Sequence, residues 1–443
     1  GGKNNLFYGI DAPWTAFTQY VAKNDGTLTV KDSGRTVKET DDGDEIALKG
    51  LQWVYGGLRM GGRSYYALDL SDLDTPSLKF HIDPENQTIY KSNSTVTDVT
   101  ALSYMGQSWS KPTIAYVKFG GEKKLVMFVG GGYDSTGATT ACNATGDTVV
   151  KNVGYECPAY NQNTATGSGA GIYMFDANTG DLLWWTSANA TAQMGAEAYT
   201  NASDATTLNM KYSVVSQINA IDRDSDGLVD NLYFGDLGGQ AFRVDLNNNV
   251  TAKSSFATRV VRLFNQNASG GASPRFYEMP SMSIHDGDSG YIAAVAFSSG
   301  NRSSPLVGTE VTGGNQAGST VSAADGVFVV YDKDVAKSNL YATSPLPTLV
   351  TQNVSLATLN TETGVPTTGT GWKYTYSSTA GAYKGMNELY AVDGMLYVNV
   401  YHRDGAGIGG ACGAGVKGDS YVYQFCLPTG KCSFNTTTTG QPN

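Results

Sequence analysis

Gly171-Ile-Tyr-Met-Phe-Asp-Ala-Asn-Thr-Gly-Asp-Leu-Leu-Trp184 reads as an apolar strand, an Asn-Thr-Gly turn and a second apolar strand. Aromatic and β-branched residues suit a pleated surface, and Asn, Thr and Gly supply the tight turn between them. A shorter form of the same device, an apolar strand ending in Asp before a turn, recurs as Tyr66-Ala-Leu-Asp69, Phe242-Arg-Val-Asp245 and Val329-Val-Tyr-Asp332. The irregular intervals between copies exclude a strictly periodic array but fit a β-propeller with loops inserted between its strands. Each copy is then the outer half of a blade, a small sheet that needs neighbours to bury both faces. Sustained 3.6-residue periodicity is scarce, so the sequence predicts an all-β protein.

The composition sets the frame for that scaffold. A chain of 443 residues with 54 Gly, 27 Tyr and 16% charged residues is a globular chain long enough for a large core. A net charge of −10 and the lack of any Lys/Arg cluster exclude a polyanion-binding face, so nucleic acid is not an expected direct ligand. No apolar run approaches the roughly 20 residues of a membrane span. Gly1-Gly2-Lys3 carries neither an initiator Met nor a signal peptide, which reads as a mature or excised segment.

The densest chemistry lies in Asp222-Arg-Asp-Ser-Asp-Gly-Leu-Val-Asp230, with carboxylates at positions one, three, five and nine around a glycine at six. A hard cation the size of Ca²⁺ takes six to eight oxygen ligands, and D-x-D-x-D-G supplies them from a tightly coiled chain. The side-chain ligands expected are Asp222, Asp224, Asp226 and Asp230, with the Leu228 carbonyl as backbone ligand and Arg223 pointing outward. A helical calcium hand closes with Glu at position twelve, which here is Tyr233. The flanking Tyr212-Ser-Val-Val-Ser-Gln-Ile-Asn-Ala-Ile221 and Asn231-Leu-Tyr-Phe-Gly235 have strand composition, so the loop is expected to join two strands. An Asp-Gly hairpin turn without metal is the plainer alternative.

The cysteines, Cys142, Cys157, Cys412, Cys426 and Cys432, lack C-x-x-C spacing and read as disulfide partners in an exported protein. Cys142 and Cys157 bracket a polar stretch, and a loop of that size stapled by a disulfide gains about 3 kcal/mol by the chain-entropy estimate. Cys426 and Cys432 pin a Pro-Thr-Gly turn and leave Cys412 odd, although Cys412 can also pair with either neighbour. Residues 134–169, 300–325 and 359–371 are rich in Gly, Ser, Thr and Asn and are expected to be surface loops, the first carrying the staple. N-x-S/T triplets such as Asn86, Asn143, Asn189, Asn267 and Asn353 are chance matches in a chain this rich in Asn and Thr unless it enters a eukaryotic secretory pathway.

Leu51-Gln-Trp-Val-Tyr-Gly-Gly-Leu-Arg-Met-Gly-Gly-Arg-Ser-Tyr-Tyr-Ala-Leu-Asp-Leu70, Ser110-Lys-Pro-Thr-Ile-Ala115, Leu125-Val-Met-Phe-Val-Gly-Gly-Gly-Tyr133 and the run from Ala220 through the acidic loop to Asp245 together resemble the C-terminal domain of the PilY/PilC family of type IV pilus tip-associated proteins. The likeness continues through Gly300-Asn-Arg-Ser-Ser-Pro-Leu306 and Gly371-Trp372. It implies one modified seven-bladed, quinoprotein-like β-propeller over residues 1–443, forming the C-terminal part of a longer exported protein. It also implies a bound Ca²⁺ at Asp222, Asp224, Asp226, Leu228 and Asp230, and a place with minor pilins at the pilus tip, on the cell surface or at the outer membrane. Pilus extension and retraction, adhesion, twitching motility and DNA uptake in natural competence follow from the same resemblance. No Arg-Gly-Asp occurs, only the reversed Arg403-Asp404-Gly405, so integrin-style adhesion has no support here.

Two enzyme readings compete with this one. Gly287-Asp-Ser-Gly290 resembles the nucleophile motif of chymotrypsin-like proteases, but neither His81 nor His402 has the matching context, and a turn before the strand from Tyr291 is the better reading. His285 beside Asp286 and Asp288 reads as a solvated turn. A quinone-dependent periplasmic dehydrogenase would carry adjacent cysteines, which this chain lacks, and Trp184-Trp185 is expected to pack in the core instead of stacking on a cofactor. The expectation is a non-enzymatic, calcium-binding pilus module. The alternatives are the dehydrogenase-like propeller and a calcium-stabilised adhesin or lectin.

Overall fold

The computed structural model describes residues 9–38, 43–134, 168–188, 190, 210–267, 273–302, 325–341, 347–378, 381–405 and 418–432. Among them the helical segments are three short 3₁₀ turns, and the rest of the regular structure is strand. Five sheets of four or more strands follow one another along the chain, with two small hairpins inserted in the first. The first sheet holds Trp14–Gln19, Leu51–Gly57, Tyr65–Asp69 and Ser77–Asp83, extended by Thr88–Lys91 and Thr95–Val96. The second is Thr113–Phe119, Glu122–Gly130, Ile172–Asp176 and Leu182–Thr186; the third is Asn219–Ile221, Asn231–Gly235, Gln240–Leu246 and Ala257–Asn265. The fourth runs Ser281–Gly287, Gly290–Ser298, Gly326–Asp332 and Gly371–Thr375, with Ala357–Thr358 parallel at its edge. In the fifth, Met395–His402 lies between Asp419–Cys426 on one side and Tyr383–Gly385 and Tyr390–Val392 on the other.

Alternation along each strand sends side chains to both faces of its sheet, and both faces are apolar. In the second sheet Met127 and Val129 join Tyr55, Tyr65 and Phe80 of the first sheet in one buried cluster. Val126 and Phe128 point the other way and pack with Leu232, Phe234 and Phe242 of the third. The opposite face of the third sheet, with Tyr233 and Val261, meets Val295 and Phe328 of the fourth. Val329 and Tyr331 then carry the fourth onto Leu396, Val398 and Phe425 of the fifth. Successive sheets stacked face to face in chain order are the blades of a propeller-like fold. The seven-bladed count implied by the resemblance is not reached by the five sheets present among the described residues.

The strand-Asp-turn device predicted from sequence falls on the same slot in four successive sheets. Asp69, Asp176, Asp245 and Asp332 all lie at or next to the end of the third strand. Asp176 Oδ1 accepts the N–H groups of Asn178 and Thr179 at 2.9 and 3.1 Å, and Asp332 Oδ1 accepts those of Asp334 and Val335 at 3.0 and 3.2 Å. Each carboxylate thus satisfies backbone donors where the strand turns away, which is why the position is Asp. Trp184 and Trp185, side by side in one strand, are fully buried on opposite faces, in contact with the third-sheet and first-sheet clusters respectively. Gly171, with φ of 78°, sits where an added Cβ would lie 1.9 Å from the Thr186 carbonyl oxygen, so only glycine lets these strands close.

Gly287 pairs with Gly290, making Asp288-Ser289 the two-residue tip of a hairpin, as the turn reading of that motif requires. His285 Nε2 contacts Ser283 Oγ at 2.7 Å and Asp288 accepts from Thr367 at 2.7 Å, so these side chains do not converge on one point. Cys426 and Cys432 are disulfide-bonded with Cα atoms 5.0 Å apart. The turn they close is held against the fourth sheet, because Trp372 Nε1 and the Tyr331 hydroxyl donate to the Pro428 carbonyl at 2.7 and 3.0 Å. Replacing both cysteines with Ser is expected to lower stability by about 2 kcal/mol on the chain-entropy estimate, read from urea denaturation without reductant. An unchanged midpoint would show that packing alone fixes the turn. The Cys142–Cys157 pairing, Cys412 and most of 134–169 and 300–325 lie outside the described residues, whereas 359–371 is an irregular, largely exposed connection.

Candidate metal centre

The acidic stretch joins the first two strands of the third sheet, where Ile221 pairs with Asn231. The chain reverses through left-handed backbone at Ser225 and Gly227, with φ of 64° and 83°. Glycine enters that region freely, and Ser225 is held there by its neighbours. The Asp222 carboxylate organises the turn by accepting N–H groups from Ser225, Asp226 and Gly227 at 2.7, 3.2 and 2.8 Å. Asp226 accepts the Leu228 N–H at 2.8 Å.

This coiling brings carboxylate oxygens of Asp222, Asp224 and Asp226 within 4.8 Å of one another on an exposed loop. Three anions at that separation repel, and Asp224 has no hydrogen-bond donor or ion-pair partner among the described residues. The Leu228 carbonyl likewise accepts no hydrogen bond from them. An all-oxygen donor set without nitrogen or sulfur fits a hard divalent cation.

Asp230 stands apart from the three. It is 7% exposed, and its carboxylate accepts the Arg223 N–H at 2.9 Å and the Asn248 side-chain amide at 3.2 Å. Burial pushes this carboxyl above the ordinary aspartate value, the Arg223 N–H opposes that shift, and the nearby Asp224 charge adds to it. The Asp230 carbonyl accepts the Leu246 N–H at 2.8 Å and the Tyr341 hydroxyl at 2.6 Å, fastening the base of the loop to the fourth sheet's outgoing chain.

Arg223 points away from the carboxylates, as its sequence position predicts, and meets protein there. Its guanidinium crosses the Tyr341 ring at 5.1 Å and donates to the carbonyls of Lys337 and Val335 at 3.0 and 3.4 Å. The alternation in D-R-D-S-D turns it away from the carboxylates, and what it meets there is a neighbouring blade that local sequence does not reveal.

Beneath the loop lies a buried ionic network that the sequence reading missed. Arg243, fully buried, donates to Asp245 at 2.7 and 3.1 Å and to Asp332 at 2.7 and 2.6 Å. Arg259 pairs with Asp245 at 2.8 Å, Tyr233 donates to Asp332 at 3.0 Å, and Asn231 links Asp245 at 2.8 Å to the Tyr341 hydroxyl at 3.2 Å. The available signal was Arg243 two residues before Asp245 on the same face of one apolar strand.

No family model matches the chain, and no curated protein matches it. Among solved structures it is similar to the C-terminal domain of PilY1 from Pseudomonas aeruginosa, with 16% identity and a TM-score of 0.50, covering 94% of this chain and 79% of that one. It also matches a quinohemoprotein alcohol dehydrogenase from Comamonas testosteroni at 14% identity and TM-score 0.33, covering 95% of this chain and 66% of that one. An exo-β-1,3-galactanase from Clostridium thermocellum follows at 11% identity and TM-score 0.28, covering 96% and 64%. Superpositions as loose as these last two carry no argument. The chain shares the all-β, propeller-like fold of the PilY1 C-terminal domain, the fold that the PilY/PilC resemblance in its sequence implies.

Proposed function

We propose that this chain is a non-enzymatic, exported calcium-binding module of a type IV pilus tip or pilus-biogenesis complex. The observation that carries the reading is the convergence of Asp222, Asp224 and Asp226 at a blade hairpin of a PilY1-like fold. Asp222, Asp224 and Asp226, with the Leu228 carbonyl and Asp230, would hold Ca²⁺. The ion would neutralise the loop and supply no reaction chemistry. With the loop fixed, Arg223 and the Asp230 carbonyl stay docked on residues 335–341, so the junction between the third and fourth sheets is held in one arrangement. That junction is the surface on which calcium would make engagement of a minor pilin conditional. Adhesion, twitching motility and DNA uptake are the cellular roles this reading brings with it. The seven-bladed count comes with them, and an experimental structure of all 443 residues would test it by counting. No helix among the described residues is long and apolar enough to cross a membrane.

Asp224→Ala is the variant of choice, because Asp224 is exposed and Asp230 is buried in a hydrogen-bonded position. In a host relying on this protein, the folded variant is expected to reduce surface pilus number and twitching severalfold, scored by sheared-pilus yield and colony spreading. Normal piliation with a variant that no longer binds calcium would leave the ion a stabilising role only.

A further inference from the structure

The first strands of successive sheets lie beside one another, Trp14–Gln19 next to Thr113–Phe119 and that strand next to Asn219–Ile221, while Ser281–Gly287 lies next to Tyr390–Val392, an edge strand of the fifth sheet. Their entry ends surround a cavity of about 430 Å³. Pro13, Lys111, Gln217 and Met279 stand one or two residues before the first strands of the first four sheets, and the fifth contributes Asn387, Glu388, Tyr390 and Asn399. A cavity of that size, lined from each of the five sheets among the described residues, falls in the range of small-ligand sites.

Its lining is polar and its charges are placed asymmetrically. Arg59 lies with its guanidinium 4.5 Å above the Trp109 ring, which also stacks on Tyr133 at 4.6 Å. That platform is built on left-handed backbone at Arg59, with φ of 52°, a conformation costing on the order of 1 kcal/mol for a residue with a side chain. Arg302 also reaches the cavity and is paired with Glu278 at 2.6 Å, whereas the nearest acid to Arg59 is Asp11 at 3.7 Å. Desolvation and the Arg302 charge push Arg59 below its ordinary value, and the Asp11 and Glu278 carboxylates oppose that shift. Lys111 has no acidic partner among the described residues. The fifth sheet supplies the reverse, one carboxylate and two amides. Amide side chains both donate and accept, as hydroxyl groups do, and Tyr277 and Tyr390 add aromatic walls.

We propose that this axial cavity binds a carboxylate-bearing sugar residue, with Arg59 and Lys111 on the carboxylate and with Gln217, Asn387, Glu388 and Asn399 on its hydroxyls. A free amino acid fits less well, because its ammonium needs acceptors only and would leave the Asn387 and Asn399 side-chain N–H groups without a ligand acceptor. A neutral sugar would leave Lys111 without a counter-ion. The inference goes beyond the calcium module and does not rest on it, since binding is measured on the isolated chain whatever its cellular role.

The test is calorimetric titration of the whole chain, in calcium-containing buffer, with a glucuronate-terminated disaccharide. The comparison ligands are the same disaccharide with its carboxyl reduced to the alcohol, glycine and sodium acetate. The acidic disaccharide is expected to bind at least tenfold more tightly than each of the three. Lys111→Gln is expected to weaken it about tenfold and to leave the thermal midpoint unchanged, because Lys111 makes no ion pair among the described residues. Arg59→Gln is expected to weaken it further. Equal binding of the reduced disaccharide, equal binding of acetate or glycine, no heat with any ligand, or full affinity in folded Lys111→Gln would each overturn the proposal.

Discussion

Replacing Arg243 with Met is expected to destabilise the protein by about 3–5 kcal/mol, the cost of breaking a buried ion pair from one side. Desolvation disfavours the buried guanidinium, and the Asp332 and Asp245 carboxylates more than offset it, holding the group well above its ordinary value. Once the cation is removed, the two acids fare differently. Asp245 keeps Arg259 at 2.8 Å and Asn231 at 2.8 Å. Asp332 keeps only neutral donors, the Tyr233 hydroxyl at 3.0 Å and the N–H groups of Asp334 and Val335. Most of the loss should therefore trace to Asp332, which joins the fourth sheet to the third. The measurement is the shift in urea midpoint at constant m-value, together with the double variant Arg243→Met, Asp332→Asn. If the account is right, neutralising the stranded acid recovers part of the loss, because the two changes share one interaction. A single variant within 1 kcal/mol of the parent would show that the network contributes geometry and not stability.

How far this was legible in the sequence depends on whether the interaction was local. The strand-Asp-turn copies were readable because an Asp that caps its own turn needs nothing beyond the next three residues, as Asp176 shows. The acidic hairpin was readable for the same reason, its spacing and its glycine being consequences of one tight coil. Trp184 and Trp185 announced a strand buried on both faces, since adjacent side chains in a strand point to opposite sides. What failed was everything that depended on which blade lies next. The loop pattern says only that Arg223 points outward, and its partners are carbonyls more than a hundred residues away. Asp245 and Asp332 were noticed as strand ends, but their shared cation becomes visible only when the third and fourth sheets are stacked. The axial cavity is the extreme case: its walls come from residue 13 to residue 399, and no window of sequence holds two of its sheets' contributions at once.

Calcium should reverse the sign of what Asp224→Ala does. Without the ion, Asp224 adds a third negative charge within 4.8 Å of Asp222 and Asp226 and gains no hydrogen bond in return, so its removal relieves repulsion. The variant is therefore expected to match or slightly exceed the parent in chelator, by a few tenths of a kcal/mol for an exposed site. With calcium the parent gains RT ln(1 + [L]/Kd), about 2.7 kcal/mol at a hundredfold excess over Kd, and a variant missing one ligand gains little of it. Thermal denaturation of both proteins in chelator and across a calcium series separates this from a plain hairpin turn. If the acidic residues only shape a turn, the parent's midpoint will not move with calcium. If calcium binds elsewhere, both proteins will rise together. Only a site built on these carboxylates makes the curves cross, with the variant level or ahead in chelator and behind in calcium. Because Asp230 lies beneath the loop with its carbonyl tied to Tyr341, the gain should extend past the hairpin. Amide exchange in Asn231–Gly235 and around residues 335–341 should slow with calcium in the parent and stay unchanged in the variant.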